Sequence, residues 1–292
     1  MKVIRGIKPM QEISAYLRRT GKKIGLVPTM GYLHEGHVAL ILAAKDECDI
    51  VIVSVFVNPA QFLPKEDFSA YPRDLSRDYH ICKHAGVDYI FYPEAKDMYG
   101  EDYKTYVNVN DISDKLEGKY RPGHFTGVAT VVLKLFNITK PVFAYFGQKD
   151  AQQAVVIRKM VKDLNVDLNV RICETIREES GLAMSSRNSY LKEEQKKNAA
   201  VLYKMLQAGK RLVLSNEYGT AREIKKKMKE YAETNSPYCS LQYIAITDNS
   251  NLKKIKNIPD YEGEVLISLA AYFGKTRLID NILFFKKNER QN

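Results

Sequence analysis

His34-Glu35-Gly36-His37 holds two of the five histidines in the chain. Two imidazoles this close can donate hydrogen bonds to one phosphoryl group as charge builds on its oxygens. Gly31 before the pair and Gly36 within it let the backbone approach a ligand. Residues 24–27 read as a buried strand, and residues 38–48 read as a helix with Val38, Ile41 and Leu42 on one face. The pair therefore sits where a strand turns into a helix. A helix N-terminus offers free N–H groups and positive potential to an anion. A lone histidine at such a place reads as a cap or a loop residue. Two of them in one turn favour phosphate chemistry.

Two further stretches extend that equipment. Gly147-Gln148-Lys149-Asp150 lies between an apolar run at 142–146 and a helical pattern at 151–164. Gly181-Leu182-Ala183-Met184-Ser185-Ser186-Arg187-Asn188 comes later. With the histidines, Lys149, Ser185, Ser186 and Arg187 supply the donors needed for attack at the α-phosphate of ATP with pyrophosphate leaving. That chemistry needs no covalent protein nucleophile. The sequence has no G-x-x-x-x-G-K-[ST] loop and no G-x-S-x-G elbow. Each residue alone has a plainer reading. Lys149 with Asp150 fits a surface ion pair, Met184 fits core filling, and Ser185-Ser186 fits a helix cap. Gln61 and Gln153 fit surface amides. The ordered set is what favours a site.

The elements that must position these residues alternate. Helices are expected at 7–20, 38–48, 74–85, 125–138 and 151–164, and strands at 24–27, 50–57, 89–92, 106–109, 142–146 and 167–176. Such alternation predicts an α/β fold with a doubly wound parallel (Rossmann-like) sheet. The β-branched run at 50–57 ends at Asn58-Pro59. Gln61, Tyr71 and Arg73 then lie on or near a loop at a strand's carboxyl end, where ligands sit in such sheets. Residues 117–124 read as a polar loop. Beyond them come a polar helical segment at 191–214, a helix at 220–234 and strands at 241–248, 264–272 and 276–284. Phe273-Gly274-Lys275 suggests a hairpin between the last two. The organisation expected is a domain over 1–180 and a smaller C-terminal α+β domain over 181–292, with a frayed tail from Lys286.

The 292 residues are 45% hydrophobic and 27% charged, ordinary for a globular chain. No apolar run is long enough for a signal peptide or a membrane span. Cys48, Cys82, Cys173 and Cys239 are scattered, against a zinc or disulfide framework and in favour of a reducing, cytoplasmic setting. Most of the net charge of +10 falls in residues 186–292. Lys225-Lys226-Lys227-Met228-Lys229 lies in a helical segment without interleaved aromatics, so it reads as a solvated face. No nucleic-acid or membrane partner is expected.

His34-Glu35-Gly36-His37 resembles the H-x-G-H signature of the nucleotidyltransferase superfamily. Met184-Ser185-Ser186-Arg187 resembles its mobile second signature. The wording is more specific across six stretches. They are Pro-Thr-Met-Gly-x-Leu-His-x-Gly-His at 28–37, Val-Phe-Val-Asn-Pro-x-Gln-Phe at 55–62, Tyr-Pro-Arg at 71–73, Arg-Pro-Gly-His-Phe-x-Gly-Val at 121–128, Phe-Gly-x-Lys-Asp-x-Gln-Gln at 146–153 and Gly-Leu-Ala-Met-Ser-Ser-Arg-Asn at 181–188. In order and spacing these resemble the pantothenate synthetase (pantoate–β-alanine ligase) family.

The resemblance implies an AMP-forming ligase that joins pantoate to β-alanine through a pantoyl adenylate. It implies that Met30, Gly31, Tyr32, Leu33, His34, Glu35, Gly36 and His37 line an ATP site. Gly147, Gln148, Lys149 and Asp150 would join them, with Ile176 touching the adenine region through its backbone. Met184, Ser185, Ser186 and Arg187 would close over the triphosphate. Gln61 and Gln153 would hold pantoate. His37, His34 and Lys149 would be the catalytic groups, with His37 assigned as proton donor in the family. A pantoate carboxylate needs no proton removed, so hydrogen bonding in the transition state is the role expected here. Mg2+ is implied with the ATP phosphates, with no protein residue assigned to the metal. A homodimer and a lid-like C-terminal domain are implied as well. Two other readings compete: a nucleotidyltransferase adenylylating a phosphorylated acceptor, and a nucleic-acid binder using the basic C-terminal half.

Overall fold

The apolar runs Ile24–Thr29 and Ile50–Val55 pair in parallel at the centre of a six-stranded sheet. The computed structural model describes residues 1–64 and 66–287. The chain divides into two compact units. One comprises Met1–Gln148 and Val156–Glu174, the other Lys149–Val155 and Thr175–Asn292.

In the first unit the elements run β1 (Lys2–Ile4), α1 (Ile7–Arg19), β2 (Ile24–Thr29), α2 (Glu35–Glu47), β3 (Ile50–Val55), α3 (Leu75–His84), β4 (Tyr89–Phe91), α4 (Ala95–Met98), α5 (Leu116–Tyr120), α6 (His124–Thr139) and β5 (Phe143–Gly147). Helix α7 (Ala151–Asp163), whose first turn is counted with the second unit, and β6 (Asn169–Cys173) follow. The strand order is β1-β4-β3-β2-β5-β6, and all pairings are parallel. The doubly wound reading holds. Chain order runs one way from β2 through β3 to β4 and the other way from β5 to β6. The carboxyl ends of β2 and β5 therefore flank the point where the winding reverses, the place such sheets use for ligands. Val27, Leu33, Ile41, Val53 and Ile90 are among the side chains buried between the sheet and α2. Each contributes about 1.5–3 kcal/mol relative to exposure.

The second unit carries α8 (Glu193–Ala199), α9 (Val201–Leu214), α10 (Ala221–Asn235), β7 (Cys239–Asp248), β8 (Gly263–Phe273) and β9 (Thr276–Lys286). The three strands form an antiparallel sheet in chain order. Phe273 pairs with Thr276, so Gly274-Lys275 makes the tight turn expected there, with Gly274 at φ 61°. Leu202, Met205, Leu206 and Val213 of α9 share a core with Ile224 and Met228 of α10 and with Val265, Ile267 and Leu269 of β8.

Four local expectations change. Residues 106–109 form no strand, because the Val107 N–H goes to the Thr130 hydroxyl at 2.9 Å and not to a neighbouring strand. The loop at 117–124 contains α5. The segment 191–214 is two helices meeting at Ala200. The Asn198 side chain donates to the Glu194 carbonyl at 2.9 Å, a local bond that competes with regular helix. Lys286 is strand, not tail. Its ammonium is buried and donates to the carbonyls of Tyr261 (3.2 Å) and Pro259 (3.4 Å). The rest of the expected frayed tail, 288–292, lies outside the described residues. Strand β1 was not anticipated, since three residues carry no visible period. Among the described residues no helix is long and apolar enough to cross a membrane.

Candidate active site

The histidine turn begins where β2 ends. Gly31 and Tyr32 both take positive φ, 80° and 53°. A side chain on Gly31 would also lie 2.9 Å from the Asp78 carboxylate and 3.0 Å from Val55, so both torsion and space require glycine. Buried Asp78 on α3 accepts the N–H of Tyr32 at 2.9 Å and of Leu33 at 2.7 Å. Burial pushes its carboxyl above the usual range, and the two N–H bonds offset only part of that. Arg77 stacks over the Tyr32 ring at 4.7 Å.

His34 is the N-cap of α2 and His37 lies in its first turn. The His34 Nδ1 accepts the Gly36 N–H at 3.1 Å, and the His37 Nδ1 accepts the His34 N–H at 3.2 Å. An Nδ1 that accepts places the hydrogen of the neutral ring on Nε2. The ring centroids are 4.1 Å apart. The turn thus sets two Nε2–H donors side by side at a helix N-terminus, an arrangement matched to phosphoryl oxygens.

Gln61 follows β3 in a short 3-10 turn of Pro59–Gln61. Asn58, 1% exposed, organises this turn. Its amide donates to Gln61 Oε1 and to the Gly127 carbonyl, both at 3.1 Å, and its oxygen accepts from the Tyr99 hydroxyl at 2.8 Å. The Gln61 amide donates to the Met30 sulfur at 2.8 Å. Its backbone carbonyl accepts from Arg121 (3.3 Å) and from His124 Nδ1 (2.7 Å). Arg121 pairs with both Glu66 oxygens at 2.6 Å and with His124 Nε2 at 3.1 Å. Burial and the adjacent Arg121 charge push the His124 imidazole down to about 4, so it is neutral at pH 7. Burial alone would raise the Glu66 carboxyl, but Arg121 outweighs it and holds the group below its usual range. Asp78, Asn58 and this Arg121–Glu66–His124 group were not singled out from sequence as site residues. The signals for Asn58 were its place before a proline at the end of a buried strand and its position in the stretch at 55–62.

The remaining expected residues divide between the units. Gly147 ends β5 and Gln148 follows it, both in the first. Lys149, Asp150, Gln153, Ile176, Met184, Ser185, Ser186 and Arg187 belong to the second. Lys149 Nζ lies 3.7 Å from Asp150, the ion pair of the plainer reading. Ser185 caps a short 3-10 helix of Ser186–Tyr190, accepting the Arg187 N–H at 3.3 Å. The Ile176 carbonyl accepts the Met184 N–H at 3.0 Å. Among the described residues no group of three His, Cys, Asp or Glu could hold a metal ion.

Residues 2–283 match the model of the family described as pantoate-beta-alanine ligase. The chain is 51% identical to a pantothenate synthetase of Caldicellulosiruptor bescii over 283 residues, 97% of this chain and 99% of that one. It is 50% identical to one of Thermodesulfovibrio yellowstonii over the same shares. A crystal structure of pantothenate synthetase from Thermus thermophilus matches with a TM-score of 0.89 and 41% identity, covering 97% of this chain and 99% of that one. A pantoate-beta-alanine ligase from Francisella tularensis, complexed with beta-gamma ATP and beta-alanine, matches with a TM-score of 0.78 and 39% identity over 97% of each chain.

Proposed function

The chain belongs to the pantoate–β-alanine ligase family, and from that premise we propose that it condenses (R)-pantoate with β-alanine at the expense of ATP. The observation that carries the reading is the histidine turn. Two Nε2–H donors stand at the N-terminus of α2, beside the point where the sheet's winding reverses.

A pantoate carboxylate oxygen attacks the α-phosphorus, the bond to the bridging oxygen breaks, and pyrophosphate leaves. The amine of β-alanine then attacks the acyl carbon, the acyl C–O bond breaks, and AMP leaves while the nitrogen gives up a proton. A carboxylate is a poor acyl donor until its oxygen becomes a good leaving group, and AMP makes it one. His34 and His37 donate hydrogen bonds to the phosphoryl oxygens as negative charge accumulates. Lys149 is assigned to the phosphates, and Met184, Ser185, Ser186 and Arg187 to cover of the triphosphate. Ile176 is assigned to the adenine region. Gln61 and Gln153 are assigned to pantoate. The network around Asn58 holds Gln61 in place for that task.

Magnesium is proposed as a companion of the ATP phosphates, neutralising charge on them. Asp78, the acid beside the histidine turn, is committed to the N–H groups of Tyr32 and Leu33 and does not fit a metal ligand. A homodimer, a cytoplasmic location and a lid function for the C-terminal part complete the proposal. An adenylate needs protection from water, which favours a lid.

Pyrophosphate exchange into ATP, with magnesium and pantoate but no β-alanine, tests the reading. Exchange that requires pantoate, followed by AMP release on adding β-alanine, is the expected result. No exchange with pantoate would turn attention to a phosphorylated acceptor.

A further inference from the structure

Two consecutive residues of β9 hold the backbones that carry Lys149 and Arg187. Asp280 and Asn281 are 3% and 4% exposed, unusual burial for polar side chains on a strand. Successive strand residues face opposite sides of a sheet, so the two serve different neighbours.

Asp280 receives Arg177. The guanidinium donates to both carboxylate oxygens, at 2.7 and 2.9 Å, and to the Gly181 carbonyl at 3.1 Å. Its central carbon lies 3.8 Å from the centre of the Tyr203 ring on α9. A two-pronged, stacked arginine is held in one orientation. Arg177 is also the base of a small hairpin. It bridges Ala183, the Glu178 N–H reaches the Leu182 carbonyl at 2.8 Å, and the Met184 N–H reaches the Ile176 carbonyl at 3.0 Å. Ser185, Ser186 and Arg187 follow directly from this hairpin. Asn188 then ties the stretch back, donating to Glu178 and to the Ala183 carbonyl, both at 3.1 Å.

Asn281 receives the other loop. Its amide donates to the Lys149 carbonyl at 2.9 Å, fixing the backbone from which that ammonium projects. Lys149–Val155 belongs to the same compact unit as β9.

We propose that Asp280 and Asn281 are positioning residues for the adenylation half-reaction. Asp280 acts through Arg177 on the Ser185–Arg187 stretch, and Asn281 acts on Lys149. The inference rests on the function proposed above, in which both cations serve the phosphates. They set the spacing of two cations from one rigid strand, so their loss should affect the step that releases pyrophosphate and spare the step that releases AMP.

The test uses the full chain with Asn281→Ala, Asp280→Asn, Arg177→Lys and the Asp280→Asn/Arg177→Lys pair. Pantoate-dependent pyrophosphate exchange reads the first half-reaction. AMP release from supplied pantoyl adenylate and β-alanine reads the second. Each single variant should lower exchange by roughly 10–100-fold, the scale of a misplaced reacting group. The ATP KM should rise, and AMP release should stay within about twofold of wild type. Because Asp280 and Arg177 act as one unit, the pair should cost no more than either change alone. Asn281→Ala removes the hydrogen bond to the Lys149 carbonyl and leaves the Asp280–Arg177 ion pair in place, so it decides the matter if the Asp280 variant does not fold. Equal losses in both half-reactions, or normal exchange in Asn281→Ala, would overturn the proposal. A wild-type protein that exchanges no pyrophosphate with pantoate would overturn the functional reading first and this inference with it.

Discussion

The carboxylate of Asp78 accepts the backbone N–H of Leu33 at 2.7 Å, joining residues 45 positions apart in the chain. With the Tyr32 N–H on its other oxygen, it holds a turn in which Gly31 and Tyr32 both take left-handed torsions. The histidines begin at the next residue. Their placement at the head of α2 therefore depends on an acid from α3.

Asp78→Asn should loosen that turn. The amide oxygen can accept one N–H, but the NH2 group faces the other. The expected cost is about 1–3 kcal/mol of stability, the penalty for a buried donor left unpaired. Pantoate-dependent pyrophosphate exchange should fall roughly 10–100-fold through misalignment of the histidines. Urea unfolding and the exchange assay measure the two effects separately. A variant with wild-type exchange would mean that the turn holds its shape without the acid.

His37→Ala should leave the fold intact and cut adenylate formation by roughly two to four orders of magnitude. Circular dichroism and pyrophosphate exchange together check this. Near-normal turnover would remove His37 from the role assigned to it.

His124 makes stability depend on pH in a defined window. Its folded value of about 4 lies below the ordinary histidine value, so the unfolded chain binds a proton that the folded chain does not. The contribution is complete above about pH 6.5 and is lost as pH falls towards 4. The loss by about pH 4.5 should be about 2.5 kcal/mol, since each pH unit between the two values is worth about 1.4 kcal/mol. His124→Gln removes the titrating group, so urea midpoints for wild type and variant should converge as pH falls from about 7.5 to about 4.5. Parallel curves across that range would show that this imidazole does not titrate as described.

Gly127→Ala would place a methyl carbon 2.1 Å from the Ala60 carbonyl oxygen and 2.7 Å from the Gln61 nitrogen. Backbone cannot yield as a side-chain end can, so the cost should reach about 3 kcal/mol, the upper end for overpacking. The displaced turn carries Gln61. The pantoate KM should rise more than the ATP KM, which initial-rate kinetics with each substrate varied would show.

Much of the local structure of the candidate site was legible before the fold. The histidine turn was readable because an apolar run, two glycines and a helical pattern occur consecutively, and local backbone preferences act over that range. The β8–β9 hairpin was readable for the same reason at Gly274-Lys275. The strand expected at 106–109 shows the limit. Its residues suit a strand, but the Val107 N–H found the Thr130 hydroxyl on α6. A strand needs a neighbour, and the neighbour is not encoded locally.

The sequence by itself determined the alternation of strands and helices, the turn that presents His34 and His37, and the six stretches that mark the family. Tertiary structure alone decided that β2 lies beside β5, that Asp78 clamps Leu33, that Arg121 and His124 hold the Gln61 carbonyl, and that Asp280 and Asn281 anchor two loops from one strand. The physical reason is separation along the chain. These contacts join residues 45 to 132 positions apart and leave no periodic trace. Each exists because a buried polar group must find a partner once the chain has packed around it.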